Sequence, residues 1–390
     1  MAKIIPKNDE PLRSRHPQRH VVLLKSRFDH RGGLEKYASR IASAFVEWGD
    51  RVTILTSGEA PHSKIPVVST KTVPWPAFVR MEQFDRFVQK WLKKGGADLI
   101  FGMDRNRHQT HFRAGNGVHA AYLRSRFQTD SFLRACLCHL NPLHRKILEL
   151  EQAGFENPAL QKLFTNSEMV KRQVLHYYKV DAAKIQVIHN GVEWREMEAD
   201  FLQWPIKKEE GLKKWGLDRD CFHFLFIGNG YSRKGLQPLL AALSRIRQEP
   251  FHLSVIGKDN QIDMYKAKAI QLGLQDKVRF FGPSQEIRLF YQLADCLVIP
   301  SFYDPFANVT IEALAMGLFV VSSQHNGGHE ILNSDRGAVI EDLLDPDAIA
   351  ATLLQAMQRR KTALSAEAIR SSVACFDFSK QLKTLVEACG

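Results

Sequence analysis

Two carboxylates around a predicted helix start give the clearest chemical signal in this sequence. Asp304 and Glu312 are separated by seven residues, and the apolar spacing after Pro305 predicts a helix from about 307 to 316. Glu312, one turn into that helix, can accept hydrogen bonds from a diol such as ribose, and Asp304 can do the same for a sugar ring. The alternative is an N-capping Asp and a surface Glu on an ordinary α/β helix.

The start of this predicted helix also suits an anion. The first N–H groups of a helix lack intrahelical partners, and the macrodipole places partial positive charge there. In this sequence those groups belong to Ala307, Asn308 and Val309. The stretch 301–330 therefore predicts one wall of a nucleotide-sugar site.

A basic pair lies in a glycine-containing loop after the apolar run 222–228 (FHFLFIG). The order of strand, loop, Arg233-Lys234 and a helix from Leu236 predicts a diphosphate site, because such loops bring cations and helix N-termini to an anion. Surface Arg-Lys pairs are also common, and that alternative stays open. Further along, we expect backbone contacts to the base at 282–284, beginning with Gly282.

A third loop follows the first predicted strand, 20–25 (HVVLLK). Gly32 and Gly33 precede apolar residues that recur at helical spacing up to Gly49. Strand, glycine loop and helix in this order can cradle a phosphate, although a Gly-Gly pair is also common in tight turns.

Polar residues crowd the segment after another predicted strand, 97–102 (ADLIFG). Ligands of open α/β sheets bind at the carboxyl ends of strands, so Asp104, Asn116 and His119 are candidate acceptor contacts. A structural role for His119 is an equal alternative. Six arginines in or near this segment suit phosphate groups on an acceptor. They are Arg105, Arg107, Arg113, Arg124, Arg126 and Arg134.

These stretches together resemble the retaining, GT-B-fold enzymes of glycosyltransferase family 4. The family signature E-P-F-G…E-A-x-A-x-G, followed by an apolar strand and G-G, is matched by Asp304-Pro-Phe-Ala-Asn, Glu312-Ala-Leu-Ala-Met-Gly and Gly327-Gly328. Asp304 replaces the first Glu of the family, and Ala307 replaces its Gly. The shorter carboxylate of Asp304 is expected to alter the contact to the donor sugar. Within the family, the run 28–57 most resembles the first glucosyltransferases of the lipopolysaccharide core.

The resemblance implies a role for each candidate residue. Arg233 and Lys234 would neutralise the leaving diphosphate, Asp304 would contact the donor sugar, and His119 would lie at the transferred sugar. The other implied donor-binding positions are Gly32, Gly33, Gly282, Phe306, Ala307, Asn308, Val309 and Glu312. The resemblance further implies transfer of a hexose, glucose or a relative, from a UDP-sugar with retained configuration. No cofactor or metal is expected, and no Asp-x-Asp metal motif occurs.

The composition fits an enzyme that acts at an anionic surface. The net charge is +12 and 44% of the residues are hydrophobic. Without zinc-finger spacing, RNA-binding aromatics or a basic zipper, a membrane surface or an anionic glycolipid is a better partner than nucleic acid. The six cysteines lack metal-binding spacing, the first 19 residues lack a signal-peptide core, and no run reaches membrane-spanning length. We expect a cytoplasmic protein, at most peripheral on the inner face of the membrane.

Predicted strands alternate with helices throughout, which excludes a sandwich or a helix bundle. We therefore predict an α/β protein of GT-B fold, with two doubly wound Rossmann-like domains facing a cleft. The predicted boundaries are an acceptor domain at 1–192, a linker at 193–218, a nucleotide-sugar domain at 219–372 and a C-terminal helix at 373–390 that returns to the first domain. Two alternatives stay open, a sugar-nucleotide epimerase of this architecture and an inactive nucleotide-sugar-binding protein.

Overall fold

The computed structural model describes residues 18–27, 33–58, 64–130, 132–138 and 140–390. Its strands are β1 (His20–Leu24), β2 (Arg51–Ser57), β3 (Val67–Thr70), β4 (Leu99–Gly102), β5 (His111–Arg113), β6 (Lys162–Thr165), β7 (Ile185–Val187), β8 (Phe222–Ile227), β9 (Phe251–Ile256), β10 (Val278–Gly282), β11 (Cys296–Ile299), β12 (Phe319–Ser323) and β13 (Gly337–Ile340). They form two separate sheets, one in each half of the chain.

Helices connect most of these strands. They are α1 (Gly33–Trp48), α2 (Ala77–Leu92), α3 (His119–Thr129), α4 (Phe132–Cys138), α5 (Pro142–Phe155), α6 (Glu168–Tyr177), α7 (Glu198–Leu202), α8 (Trp204–Trp215), α9 (Tyr231–Lys234), α10 (Leu236–Arg245), α11 (Ile262–Gln271), α12 (Ile287–Leu293), α13 (Asn308–Ala315), α14 (Pro346–Met357), α15 (Ala363–Ser372) and α16 (Phe378–Glu387). Among the described residues, no helix is both long and apolar enough to cross a bilayer.

Both sheets are parallel and each has a point where the strand order reverses. The first sheet has the order β3-β2-β1-β4-β5-β6-β7, and the second has the order β10-β9-β8-β11-β12-β13. Ligand crevices in such sheets lie outside the carboxyl ends of the strands, beside the reversal. The loops after β1, β4, β8 and β11 are therefore the ones that the fold places at a site.

Alternate residues of the central strands pack on opposite faces of each sheet. Val21 and Leu23 of β1 join one apolar cluster, whereas Val22 and Leu24 join another with α2. In the second sheet, Phe224 packs on the face covered by α10 and α14. Burial on both faces explains why these strands are continuous apolar runs. The predicted fold of two doubly wound α/β domains is confirmed.

The segment 193–218, predicted as a linker, holds α7 and α8 packed on the second domain. The Trp215 ring at the end of α8 stacks on Phe290 with 4.7 Å between ring centroids. The apolar residues that pack on the second domain, such as Met197, Phe201 and Trp215, are interspersed with charged residues, so the sequence of this segment shows only a weak helical period. The last helix, α16, returns to the first domain, where Leu385 packs in one cluster with Phe45.

Candidate active site

Helix α13 begins where the fold places the site, at the carboxyl end of β11. Its first residue is Asn308, and Ala307 is the N-cap. The prediction of three free amides is wrong for Ala307, whose N–H donates to Asn326 Oδ1 at 2.9 Å. Among the described residues, no acceptor is bonded to the N–H groups of Asn308 and Val309. These two amides therefore remain available to an anion.

Glu312 lines a cavity of about 610 Å³ between the two domains. The hydroxyl of Tyr291 donates to Glu312 Oε2 at 2.7 Å. Burial raises the pKa of Glu312, and the hydrogen bond from Tyr291 only partly opposes this effect. Arg288 lines the same cavity. Tyr291 was missed from the sequence because nothing in its local pattern indicates a polar contact to α13.

The predicted basic pair lies on α9, a single turn between Gly230 and Gly235, whose φ angles are 71° and 78°. A Cβ at Gly235 would lie 1.8 Å from the carbonyl oxygen of Pro300, so only glycine fits there. This close approach brings the turn of α9 against the end of β11. Arg233 and Lys234 therefore lie beside the loop that carries the predicted donor-sugar carboxylate.

Asp304 forms ion pairs with both of these cations. Lys234 Nζ lies 2.6 Å and Arg233 Nη1 3.1 Å from Asp304 Oδ2. Burial alone would raise the pKa of Asp304, but Lys234 and Arg233 hold it below its ordinary value. The structure thus shows Asp304 as a counter-ion of the basic pair, and its contact with a donor sugar stays a prediction.

His119 is the first residue of α3 and is buried. Its backbone N–H donates to Glu151, and its Nε2 lies 3.0 Å from Nδ1 of His144. Burial, reinforced by Arg105, lowers the pKa of His119 to about 3, so the imidazole is neutral at pH 7. Glu151 was missed from the sequence, since its role depends on tertiary contacts of α5.

The two candidate acceptor residues differ in their surroundings. Asp104 lies after β4, where its carboxylate accepts from Lys25 Nζ at 3.0 and 3.1 Å and from the N–H of Ser26 at 2.8 Å. Asn116 is exposed on the loop between β5 and α3. Lys25 was not singled out from the sequence, although it directly follows the first strand.

The glycine positions and Phe306 complete the set of predicted residues. Gly32 lies outside the described residues, and Gly33 is the first residue of α1. Gly282 has a φ of 73° at the end of β10, where its carbonyl accepts from Gly257 N–H at 2.9 Å. Phe306 is buried, and its ring lies 5.7 Å from that of His189 in the first domain. Phe306 thus packs between the domains.

The two domains contact each other directly beside the site. Tyr303 Oη accepts from the N–H of Val118 at 2.9 Å, and Ser167 Oγ donates to the carbonyl of Pro305 at 2.8 Å. The loop before α13 therefore touches the first domain on both sides of Asp304. Residues of both domains line the cavity that contains Glu312.

Comparison with known proteins agrees with this architecture. Residues 31–194 match the model of "Glycosyltransferase Family 4", and residues 207–370 match that of "Glycosyl transferases group 1". The chain is 24% identical over 337 residues to the lipopolysaccharide glucosyltransferase WaaG of Escherichia coli, covering 84% of this chain and 86% of WaaG.

Solved structures show the same fold. A crystal structure of WaaG has a TM-score of 0.74 at 21% identity and covers 94% of this chain and 99% of that chain. A structure of Anabaena HepE in complex with UDP and glucose has a TM-score of 0.66 at 17% identity, with coverage of 95% and 99%. Because the two family matches divide the chain where its two sheets do, the chain belongs to the GT-B glycosyltransferases, with a family 4 N-terminal domain and a group 1 C-terminal domain.

Proposed function

We propose that this glycosyltransferase moves a hexose from a UDP-sugar, with retained anomeric configuration, onto an anionic glycolipid of the lipopolysaccharide-core kind. The observation that carries the proposal is the placement of the Arg233-Lys234 pair and the Glu312-Tyr291 pair beside one N-terminus, that of α13. A cation pair next to free amides suits a diphosphate, and a buried carboxylate suits a ribose diol. The kinship with WaaG supports the choice of acceptor, and the UDP complex of HepE supports the nucleotide.

In this mechanism the protein chiefly stabilises the charge that develops on the leaving diphosphate. Arg233 and Lys234, held by Asp304, and the amides of Asn308 and Val309 are in place before the reaction, and partial burial makes their electrostatic effect larger than in water. A donor phosphate oxygen would accept the proton of the acceptor hydroxyl on the face that the diphosphate leaves. We also propose that the reaction needs no metal ion, because the two cations of α9 neutralise the diphosphate instead.

The acceptor surface is proposed to include a membrane. Four apolar side chains, Phe132, Leu133, Leu137 and Leu140, are between 62% and 74% exposed on and after α4. Leu133 and Leu137 lie one turn apart on α4, and exposed apolar residues on one face are typical of interfacial helices. Helix α3 precedes α4 in the chain and spans roughly 16 Å from His119 to Thr129. The net charge of +12 favours an anionic lipid surface.

A membrane role is tested by sedimentation with vesicles. The wild type should sediment with phosphatidylglycerol vesicles. Replacing Leu133 and Leu137 together by Glu should abolish this binding. Leu364→Glu is a matched control, since Leu364 is 85% exposed on the second domain. Equal binding of all three proteins would show that this face is not the membrane contact. None of the six cysteines forms a disulfide in the described part of the chain, which fits a reducing compartment, and we propose that the enzyme acts in the cytoplasm, on the inner face of the membrane.

The donor is tested by a screen of UDP-, GDP- and ADP-sugars. A ligand that binds only the folded state at 100 times its Kd raises the free energy of unfolding by about 2.7 kcal/mol, which thermal shift detects. We expect the largest shift and the fastest hydrolysis with a UDP-hexose. No shift and no hydrolysis with any of these donors would refute the transferase proposal.

A further inference from the structure

Arg113, at the end of β5, is a buried cation that faces the interdomain cavity. It is 4% exposed and contributes to the wall of the cavity that contains Glu312. Its Nη2 donates to Asn190 Oδ1 at 3.0 Å, whereas its Nη1 is buried and has no hydrogen-bond partner. No carboxylate of the described residues lies within ion-pair distance of it.

The other arginines of this segment are accounted for in different ways. Arg105 is paired with Glu151, Arg107 with Asp85, and Arg126 with Asp130. Arg124 is exposed to solvent, and the side chain of Arg134 lies outside the described part of the structure. Within this set, Arg113 is the arginine that is buried and forms no ion pair with a carboxylate of the described residues.

Burying an unpaired guanidinium is costly, because it cannot lose its proton and must give up its hydration. The ring of Tyr37 lies 4.9 Å from the guanidinium carbon and offsets part of this cost through a cation–π contact. Nη1 of the planar guanidinium remains without a partner for its two N–H bonds, on a residue that lines the cavity which we propose binds phosphorylated substrates. We propose that Arg113 binds an oxyanion, a phosphate or carboxylate group, and so forms an anion subsite contributed by the first domain. This inference rests on the proposed function.

The contacts around Arg113 lead to the donor side of the cleft. Asn190 accepts from Arg113, and its Nδ2 donates to Asn308 Oδ1 at 2.7 Å. Asn308 is the first residue of α13, whose free amides are proposed to bind the diphosphate. The diphosphate of the donor is therefore the favoured source of the oxyanion, and a phosphate on the acceptor is the other source.

The decisive variant is Arg113→Met, which removes the charge and the unsatisfied N–H together and keeps the apolar stem. Replacing a buried ion by an apolar side chain of similar size is often neutral or stabilising, so the variant is expected to fold. Calorimetry should show UDP binding weakened roughly 10- to 100-fold, as expected for loss of a hydrogen bond to a charged group. Arg51→Met is the matched control, because Arg51 is exposed at the opposite end of the same sheet.

Inorganic pyrophosphate added to the UDP-saturated protein separates the two sources. Loss of UDP affinity in Arg113→Met identifies the donor diphosphate, whereas intact UDP affinity with loss of pyrophosphate binding identifies an acceptor phosphate. If Arg113→Met fails to fold, Arg113→Lys replaces it, and a several-fold loss is expected because the ammonium group lacks the fork. Wild-type affinity for both probes in the folded variant overturns the inference. If the wild type binds no nucleotide, the proposed function is refuted. The anion subsite is then still tested by comparing pyrophosphate binding to the wild type and to Arg113→Met.

Discussion

Glu330 links the two domains, and its neutralisation is expected to open the cleft. This residue follows Gly327-Gly328 in the second domain. Its carboxylate accepts hydrogen bonds from the N–H groups of Glu168 at 2.7 Å and Met169 at 2.6 Å, at the start of α6, and from Nε2 of His189 at 3.2 Å. All three donors belong to the first domain. The contact therefore forms only when the domains are closed.

The magnitude follows from these three bonds. A hydrogen bond to a charged group contributes roughly 1.5–3 kcal/mol, and a carboxylate at a helix N-terminus gains about 0.3–1 kcal/mol more. Glu330→Gln keeps one acceptor oxygen and loses the charge, so we expect a net loss of about 2 kcal/mol. That loss shifts the equilibrium roughly 30-fold towards the open form.

The same contact predicts a pH dependence of closure. Burial alone would raise the pKa of Glu330, but hydrogen bonds from His189, Glu168 and Met169 lower it below its ordinary value. A carboxyl group whose pKa is depressed in the closed form stabilises that form fully above its pKa in the open form. The stabilisation is lost as the pH falls through the lower pKa of the closed form. Acid should therefore open the wild type and leave the Gln variant unchanged.

Small-angle X-ray scattering and steady-state kinetics test this prediction together. Glu330→Gln should have a larger radius of gyration and a kcat/KM reduced by up to roughly 30-fold. Glu341→Gln is the control, because Glu341 is exposed in the same domain and the substitution removes the same charge. The reasoning is refuted if both variants match the wild type in shape and in kcat/KM at every pH tested.

Three further outcomes are expected. Lys234→Met should reduce turnover by roughly 10²- to 10³-fold with unchanged circular dichroism, and wild-type turnover would exclude its diphosphate role. Tyr291→Phe removes a hydrogen bond that lowers the pKa of Glu312, so this carboxylate should take up its proton at a higher pH in the variant. In calorimetric titrations at decreasing pH, the donor affinity of the variant should therefore begin to decline at a higher pH than that of the wild type. Coinciding pH profiles would contradict this. The pKa of His119 is lowered from 6.5 to about 3 in the folded protein, so the free energy of unfolding should fall as the pH drops through this window, and less steeply in His119→Asn. Equal slopes in denaturant titrations would count against burial of a neutral imidazole.

The central strands were predictable from the sequence because both faces of each are buried. The runs 20–25 and 222–228 are mostly apolar, and they contain β1 and β8. The sequence does not indicate strands at Val67–Thr70 and Gly337–Ile340, and both of these lie at sheet edges. An edge strand pairs on one side only and needs few apolar residues, so its local pattern is weak.

The site was predictable where short stretches of chain carry it, and less so where distant segments meet. The order of loop, basic pair and helix predicted the position of Arg233 and Lys234, which lie on α9, directly before α10. The sequence did not indicate that Asp304 pairs with both cations, because it lies 70 positions after Lys234 in the chain. The interdomain role of Glu330 likewise depends on α6, which lies in the other domain.

Asn326 bonds the segment that ends in Glu330 to the start of α13. This side chain is fully buried, accepts from the N–H groups of Ala307 and Gly328, and donates to Thr310 of α13. Beside it, the carbonyl of Asp304 accepts from Gly327 N–H at 2.9 Å. The segment that ends in Glu330 is therefore bonded both to the start of α13 and to the loop that holds the counter-ion of the basic pair. Since packed segments joined in this way move as one body, the contact of Glu330 with α6 also fixes the distance between the first domain and the proposed diphosphate site.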